Sequence, residues 1–205
     1  MIFHVIIQLM NNYIKNYIKK SVEAKKLILE NSAILSEIEK AALVIIKAYK
    51  NGKKVLIAGN GGSAGDAQHM AAELVSKFLL ERNALSAIAL TTNTSILTSV
   101  GNDYDHKLVF ARQIRAHSNK GDIFIAISTS GESKNILKAI EEAKNCDITV
   151  IGLTGGNNSS MDKMCDYIIK VPSLETPIIQ ESHLMIEHLI CALIEKNLFE
   201  SKMPR

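Results

Sequence analysis

Residues 123–133 read Ile-Phe-Ile-Ala-Ile-Ser-Thr-Ser-Gly-Glu-Ser, an apolar run that passes directly into a turn rich in hydroxyl groups. The apolar run is typical of a strand buried on both faces of a parallel sheet. Residues 134–145 then show helical periodicity, so the segment predicts a strand, a turn and a helix in that order. Units of this kind build a parallel sheet covered by crossover helices, and this one decides the fold.

The same alternation of short apolar runs and helical stretches extends in both directions along the chain. Five buried strands are predicted, at Lys54–Ala58, Ser86–Leu90, Asp122–Ser128, Thr149–Leu153 and Tyr167–Val171. Helices are predicted at about 12–31, 34–49, 64–80, 96–117 with a break near Gly101, 134–145, 159–164 and 178–197. The sequence therefore predicts an α/β fold. Its core is a doubly wound five-stranded parallel sheet flanked by helices, with N-terminal helices before the first strand.

The chain has 205 residues, of which 47% are hydrophobic, and this is enough to bury the core of one domain. We expect a single domain over residues 11–205 and an N-terminal extension of doubtful order over residues 1–10. The segment Met1–Met10 is mostly apolar but has no basic leader and no cleavage site, and it is too short to span a membrane. Neither a signal peptide nor an anchor is predicted. Translation that begins at Met10, and a docking extension, both remain open.

The charges and cysteines exclude several classes of function. The chain has 24 basic and 21 acidic residues, a net charge of +3, and no arginine-rich or aromatic-interleaved block. Nucleic-acid binding is therefore not predicted. Three widely spaced cysteines, Cys146, Cys165 and Cys191, form no CxxC pair, so neither a disulfide framework nor a thiolate zinc site is indicated. We expect a cytoplasmic protein that binds neither nucleic acid nor a membrane.

A glycine-rich turn, Gly59-Asn60-Gly61-Gly62-Ser63, follows the first predicted strand and leads into a helix. Backbone amides in such a turn can approach an anion closely. A tight turn needs glycine regardless of any ligand, however, and both interpretations stay open. The turn is neither a GxGxxG nor a GxxxxGK motif, which disfavours nucleotide binding.

The hydroxyl-rich turn Ser128–Ser133 also leads from a strand into a helix, and it offers four hydroxyl groups beside backbone amides. This composition suits a phosphate group, whereas helix capping by Ser130 or Ser133 would use only one hydroxyl. Turns after two strands of one parallel sheet face the same crevice. We therefore expect one turn to bind a phosphate and the other to bind sugar hydroxyls.

Two predicted helices each carry a pair of potential metal ligands. His69 and Glu73 are four residues apart and project from one face of their helix. Gln180 and His188 are eight residues apart, about two turns, and roughly share a face of the last helix. Two imidazoles, a carboxylate and an amide oxygen suit Zn²⁺ or a similar divalent ion. The spacing equally fits an ordinary surface pair and a core histidine, so spacing alone does not decide.

The hydroxyl-rich turn after an apolar strand resembles the phosphosugar-binding signature of the sugar isomerase (SIS) domains. The glycine-rich turn, the histidine and glutamate after it, Gly101-Asn102-Asp103 and Gln180-Glu181-Ser182-His183 narrow the resemblance to the phosphoheptose isomerases. The resemblance covers roughly residues 12–197. It implies substrate contacts at the matched positions Asn60, Gly61, Gly62, Ser63, Asn102, Asp103, Ser128, Thr129, Ser130, Ser133 and Gln180.

The resemblance also implies a mechanism and an assembly. His69, Glu73, Gln180 and His188 match the ligands of one Zn²⁺ per subunit, and Glu73 and His188 match the proposed catalytic acid/base pair. His183 is a competing ligand on sequence grounds, but it does not match the ligand position. Relatives form homotetramers with sites near subunit boundaries. The implied reaction isomerises sedoheptulose 7-phosphate, the first step of heptose synthesis for bacterial surface polysaccharides. We expect the phosphate turns and both ligand pairs at the rim of one cleft.

Two other functions remain open on the sequence. One is the isomerisation of a hexose or pentose phosphate by the same kind of domain. The other is non-catalytic binding of phosphosugars, as in relatives that associate with the replication initiator or sense phosphosugars for a regulator. The complete ligand set favours an enzyme. Pro177 stands where some relatives carry an acidic residue, so the contribution of that acid is absent or supplied elsewhere.

Overall fold

The computed structural model of the chain describes residues 2–199, with side chains from residue 6 onward. Its strands form one parallel sheet in the order β2-β1-β3-β4-β5. They are β1 (Val55–Ala58), β2 (Ala87–Ala89), β3 (Ile123–Ile127), β4 (Thr149–Thr154) and β5 (Tyr167–Lys170). The helices are α1 (Ile2–Glu30), α2 (Ser32–Lys50), α3 (Gly62–Val75), α4 (Thr94–Asp103), α5 (Val109–His117), α6 (Lys134–Asn145), α7 (Met161–Met164) and α8 (Thr176–Phe199). The predicted doubly wound sheet is confirmed.

Helices cover both faces of the sheet because each strand is apolar on both sides. Ile123, Ile125 and Ile127 of β3 pack into the core layer that also holds residues of α2, α3 and α8. Phe124 and Ala126 face the other layer, formed with α5 and α6. Each fully buried isoleucine or phenylalanine contributes about 1.5–3 kcal/mol, so the central strands anchor the fold.

The register of β1 and β3 brings the two predicted binding turns together. Ala58 pairs with Ala126, so both strands reach the carboxyl edge of the sheet at the same level. The glycine-rich turn continues from β1 and the hydroxyl-rich turn from β3. The turns therefore lie side by side, as predicted.

Two helix boundaries differ from the prediction because of hydrogen bonds to side chains, one distant in the sequence and one local. Helix α3 ends at Val75, so the prediction of Leu80 as its end is wrong. The backbone amides of residues 78–80 instead donate to the carboxylate of Glu195 on α8. The predicted helix 96–117 breaks at residues 104–105 and not at Gly101, because Asp105 accepts a hydrogen bond from the amide of Lys107 and starts a new turn.

The N-terminal helix α1 begins at Ile2, well before the predicted start near residue 12, and residues 2–10 belong to it. Asn31 then caps α2 by accepting from the amides of Ala33 and Ile34. The described residues do not include residue 1, where the predicted extension begins, or residues 200–205, where the predicted domain ends. Within residues 2–199, every helix is too short or too polar to cross a membrane.

Candidate active site

The hydroxyl-rich turn forms a compact cup at the N-terminus of α6. Ser128 Oγ donates to Ser133 Oγ over 3.1 Å, and Ser130 Oγ accepts from the amide of Glu132 over 3.2 Å. Gly131 has a φ of +66°, and a Cβ there would lie 2.2 Å from Ser159 Oγ, so only glycine fits. The positive end of the α6 dipole and these hydroxyls together suit an anion such as a phosphate.

The glycine-rich turn is equally constrained. A Cβ on Gly59 would lie 2.4 Å from the backbone oxygen of Ser63, and Gly61 has a φ of +55°. A Cβ on Gly62 would lie 2.4 Å from Nε2 of Gln180, so the amide of Gln180 packs on the first turn of α3. Ser63 itself is buried, at 3% exposure. The structure thus brings Gly62 and Gln180 together at the carboxyl edge of the sheet.

A reciprocal amide pair joins the glycine-rich turn to α6. Asn60 Nδ2 donates to Asn135 Oδ1 over 2.9 Å, and Asn135 Nδ2 donates to Asn60 Oδ1 over 2.8 Å. Sequence reasoning selected Asn60 but missed Asn135. The available signal was a polar residue on the stripe of α6 that otherwise buries Ala139 and Ala143. The pair fixes the first turn against the helix that follows the second.

An open cleft of about 590 Å³ lies beside these turns. Asn60, Ser133 and Asn135 line it together with the neighbouring residues Asp105, His106, Lys107 and Lys134. Lys107 pairs with Asp105 over 2.9 Å, so the net positive charge that favours an anionic substrate comes from Lys134. Asn102 and Asp103 do not line this cleft; their side chains bond to each other over 2.8 Å on an exposed end of α4.

His69 on α3 and His188 on α8 meet where these two helices pack side by side. Their Nε2 atoms lie 2.8 Å apart, and the rings meet edge to face with centroids 5.1 Å apart. Such a bond needs one N–H and one lone pair, so at least one ring is neutral. Glu73 Oε1 lies 3.5 Å from Nε2 of His69, and the ring of Phe78 stacks on His188 at 5.4 Å. Glu73 is thus linked to His188 through His69.

The structure separates this group from the turns and from Gln180 within one chain. His69 comes seven positions after Gly62 on α3, a rise of about 10 Å, and His188 comes eight positions after Gln180 on α8, a rise of about 12 Å. One chain therefore does not bring all four predicted metal ligands to one cleft rim. The assignment of Gln180 as a ligand stays a prediction.

The donors have the right chemistry for a metal, but their geometry is that of a hydrogen-bonded group. Among residues 6–199, whose side chains the structure describes, no three His, Cys, Asp or Glu side chains are arranged to hold a metal ion. Two imidazole nitrogens on one tetrahedral Zn²⁺, each about 2.1 Å from it, lie about 3.4 Å apart. The nitrogens of His69 and His188 lie 2.8 Å apart, so a bound metal would have to part them.

Two acidic side chains that sequence reasoning missed lie next to the histidines. Glu187 is 1% exposed, and neither of its carboxyl oxygens has a hydrogen-bond partner; Oδ2 of Asp66 is also buried and unpaired. Burial, and then the charge of Asp66, raises the pKa of Glu187 well above its usual value. Burial raises the pKa of Asp66 to about 6, against the opposing effect of His69. The signal in the sequence was an acid within the apolar stripe of each helix.

His183 is fully buried and connects α8 to the hydroxyl-rich turn. Its Nε2 lies 3.1 Å from the carbonyl oxygen of Thr154, and its Nδ1 has no partner. Burial lowers the pKa of His183 to about 4, although the bond to Thr154 opposes this, so the ring is neutral and donates from Nε2. Gly155, which follows Thr154, donates its backbone N–H to the carbonyl oxygen of Thr129 in the hydroxyl-rich turn. His183 is therefore committed to the scaffold.

The chain is similar to known proteins over nearly its whole length. A family model described as a SIS domain matches residues 16–155. Phosphoheptose isomerase 2 of Campylobacter jejuni is 54% identical over 190 residues, which cover 93% of this chain and 94% of that protein. The phosphoheptose isomerase of Aneurinibacillus thermoaerophilus is 53% identical over 193 residues, or 94% of this chain and 98% of that one. The structure of phosphoheptose isomerase from Neisseria gonorrhoeae superimposes with a TM-score of 0.86 at 36% identity, covering 91% of this chain and 99% of that chain.

Proposed function

This chain belongs to the phosphoheptose isomerases of the SIS-domain family, and on that premise we propose that it converts D-sedoheptulose 7-phosphate to D-glycero-D-manno-heptose 7-phosphate. It is a sugar-phosphate isomerase. The reaction removes a proton from C1 of the ketose and returns one to C2 of the aldose through an enediolate. We infer that it is the first step of bacterial heptose synthesis. The observation that carries the proposal is that one chain has both the hydroxyl-rich turn and a Glu–His–His group, formed by Glu73, His69 and His188.

The turns bind and orient the substrate. The hydroxyls of Ser128, Thr129, Ser130 and Ser133, with the amides at the start of α6, hold the phosphate. Asn60 and the amides of Gly61 and Gly62 hold sugar hydroxyls, because they project at the neighbouring strand end. Lys134 at the cleft edge attracts the dianion before it binds, whereas Lys107 is paired with Asp105. These contacts change little between the bound substrate and the transition state, so they lower KM and do not by themselves raise kcat.

Glu73 and His188 carry the proton transfers. Glu73 takes the proton from C1 as general base and delivers it to C2, a role that suits a half-buried carboxylate beside an imidazole. His188 donates a proton to the sugar oxygens during ring opening. His69, bonded to His188 and close to Glu73, orients both groups.

We propose one Zn²⁺ per subunit, with His69, Glu73 and His188 as ligands of the same chain and Gln180 as the fourth. When bound, a divalent ion polarises the substrate carbonyl and stabilises negative charge on the enediolate oxygens. A glutamate that held a metal would be a weaker base, so Glu73 would act as the base through the carboxyl oxygen that does not hold the ion, or while it does not hold the ion at all. Since Gln180 lies about 12 Å along α8 from His188, the fourth donor comes from another copy of the chain.

We propose a cytoplasmic homotetramer in which active sites form between copies. The distance of about 10 Å along α3 between the glycine-rich turn and His69 supports this arrangement, since a second copy can bring its turns to the histidines of the first. The apolar groove beside His188, lined by Phe78, Leu184 and Met185 among others, offers a surface for such packing.

Product analysis tests the function. Purified protein is incubated with sedoheptulose 7-phosphate and with hexulose and pentulose phosphates, and the products are identified by NMR. We expect turnover of the seven-carbon ketose above all others, with loss of activity in a chelator and recovery on adding Zn²⁺. Faster turnover of a shorter ketose phosphate would show that the substrate is that shorter sugar. Binding of sugar phosphates without turnover of any of them would show a phosphosugar-binding protein that is not an isomerase.

A further inference from the structure

Arg82 and Glu195 form a buried ion pair beside the Glu–His–His group. Their side chains are 1% and 2% exposed, and Arg82 Nε lies 2.8 Å from Glu195 Oε1. Burying two charges is costly unless further hydrogen bonds satisfy the remaining donors and acceptors. The hydrogen-bond partners of this pair belong to two segments of the proposed site. Arg82 binds the backbone of Glu73, the proposed base, and Glu195 binds the backbone of Phe78.

Arg82 holds the backbone of the proposed base. Its Nη2 donates to the carbonyl oxygen of Glu73 over 2.7 Å, and its Nη1 donates to that of Leu74 over 2.9 Å. Because α3 ends at Val75, these carbonyls belong to its last turn and have few helical partners. The planar guanidinium thus closes the helix at the residue whose side chain is proposed to move the proton.

Glu195 holds the segment that packs on the proposed acid. Its carboxylate accepts from three consecutive amides, those of Phe78, Leu79 and Leu80, at 2.8–2.9 Å. Burial opposes ionisation of this carboxyl group, but the three amides and Arg82 outweigh it and lower the pKa of Glu195. The carboxylate fixes the backbone of Phe78, whose ring stacks on His188.

We propose that Arg82 and Glu195 are positioning residues of the isomerase. One buried pair fixes the backbone of Glu73 through Arg82 and the ring that packs on His188 through Glu195. The inference rests on the proposed roles of Glu73 and His188. Loss of the pair would therefore loosen the acid/base geometry while leaving the phosphate-binding turns in place.

Two matched variants separate positioning from stability. Asp122 is a second buried carboxylate, 2% exposed, that pairs with Lys54 and accepts backbone amides at the amino edge of the sheet. We expect Glu195→Gln to lower kcat by roughly 10- to 100-fold, as small misplacements of catalytic groups do, with KM for sedoheptulose 7-phosphate unchanged. Asp122→Asn should lower thermal stability and keep kcat. Equal kcat losses in both variants, or normal kcat in folded Glu195→Gln, would overturn the proposal.

A second measurement reads the geometry without turnover. The Cε1–H NMR signal of His188, assigned through its loss in His188→Gln, reports the ring current of Phe78 in metal-free protein. It should move toward the unstacked position in Glu195→Gln, and an unmoved signal in the folded variant contradicts the proposal. If wild-type protein failed to isomerise any sugar phosphate, the proposed function would fall, while this signal would still test the positioning.

Arg82→Lys tests the contact to the Glu73 backbone separately from the contact to the Phe78 segment. It also replaces Glu195→Gln as the test if that variant does not fold. Lysine keeps a charge opposite Glu195, so the Phe78 segment and the His188 signal should stay in place. A single ammonium cannot bridge the carbonyls of Glu73 and Leu74 as a guanidinium does, so kcat should still fall. Normal kcat in this variant would overturn the part of the proposal that concerns Arg82.

Discussion

The turns at the carboxyl edge of the sheet differ from the interface between α3 and α8 in how their polar side chains are hydrogen-bonded. In the turns, polar groups pair with one another, as Asn60 does with Asn135. At the helix interface, Glu187 and Asp66 keep buried carboxyl oxygens with no partner. An unpaired buried polar group destabilises a fold by about 1–3 kcal/mol.

This difference indicates that the turns bind the substrate and the helix interface carries out the chemistry. The turns are preorganised for binding, since their glycines and hydroxyls hold one shape before the substrate arrives. At the helix interface, burial of Glu187 without hydrogen-bond partners raises the pKa of its carboxyl group. Clusters of residues with shifted pKa values are typical of catalytic sites. Variants in the two regions should therefore change different kinetic constants.

The largest effect is expected at the helix interface. His188→Gln removes the proposed acid and should reduce kcat by roughly 10²–10⁴-fold, the range for loss of general acid–base catalysis. The dissociation constant for sedoheptulose 7-phosphate, measured by calorimetry, should change little. His117→Gln, an exposed histidine on α5, is the matched control and should behave as wild type. Turnover near the wild-type rate in His188→Gln would remove the contrast between the regions.

A smaller effect is expected where His183 joins the two regions. Its pKa is about 4 in the fold and 6.5 when unfolded, so the unfolded chain binds the extra proton. Stability is therefore present above pH 6.5 and is lost as the pH falls toward 4, by about 2 kcal/mol between pH 7 and pH 5. Urea unfolding at both pH values should show that His183→Gln lacks this part of the loss. An unchanged pH dependence would contradict the buried neutral ring.

The smallest effect is expected at the hydroxyl-rich turn. Gly131→Ala forces a side chain into positive φ and against Ser159, which should distort the phosphate cup. We expect KM to rise about tenfold, equivalent to about 1.4 kcal/mol, with kcat at saturation preserved. Gly65→Ala on α3, where a Cβ meets no atom within 4 Å, is the control. A fall in kcat without a change in KM would place chemistry in the turn and reverse the comparison.

The sequence predicted the turn region better than the helix interface, because the signals of the turns are local. Apolar runs marked the strands, and glycines with adjacent hydroxyls marked the turns. The end of α3 depends on Glu195, more than 110 residues away, and no local pattern reveals it. His69 and His188 are separated by 119 residues, and only the family resemblance grouped them. Gln180 was expected beside His188, but its packing on Gly62 depends on how α3 and α8 align.

Binding and turnover measured together on Glu73→Gln test most directly whether the turns bind the substrate and the helix interface carries out the chemistry. The change keeps the size of the side chain and removes the proposed base. We expect sedoheptulose 7-phosphate to bind with nearly the wild-type dissociation constant while product formation is lost. Glu81→Gln, an exposed glutamate whose side chain is 86% exposed, should retain both. Near-normal turnover in Glu73→Gln, or loss of binding together with turnover, would contradict the account.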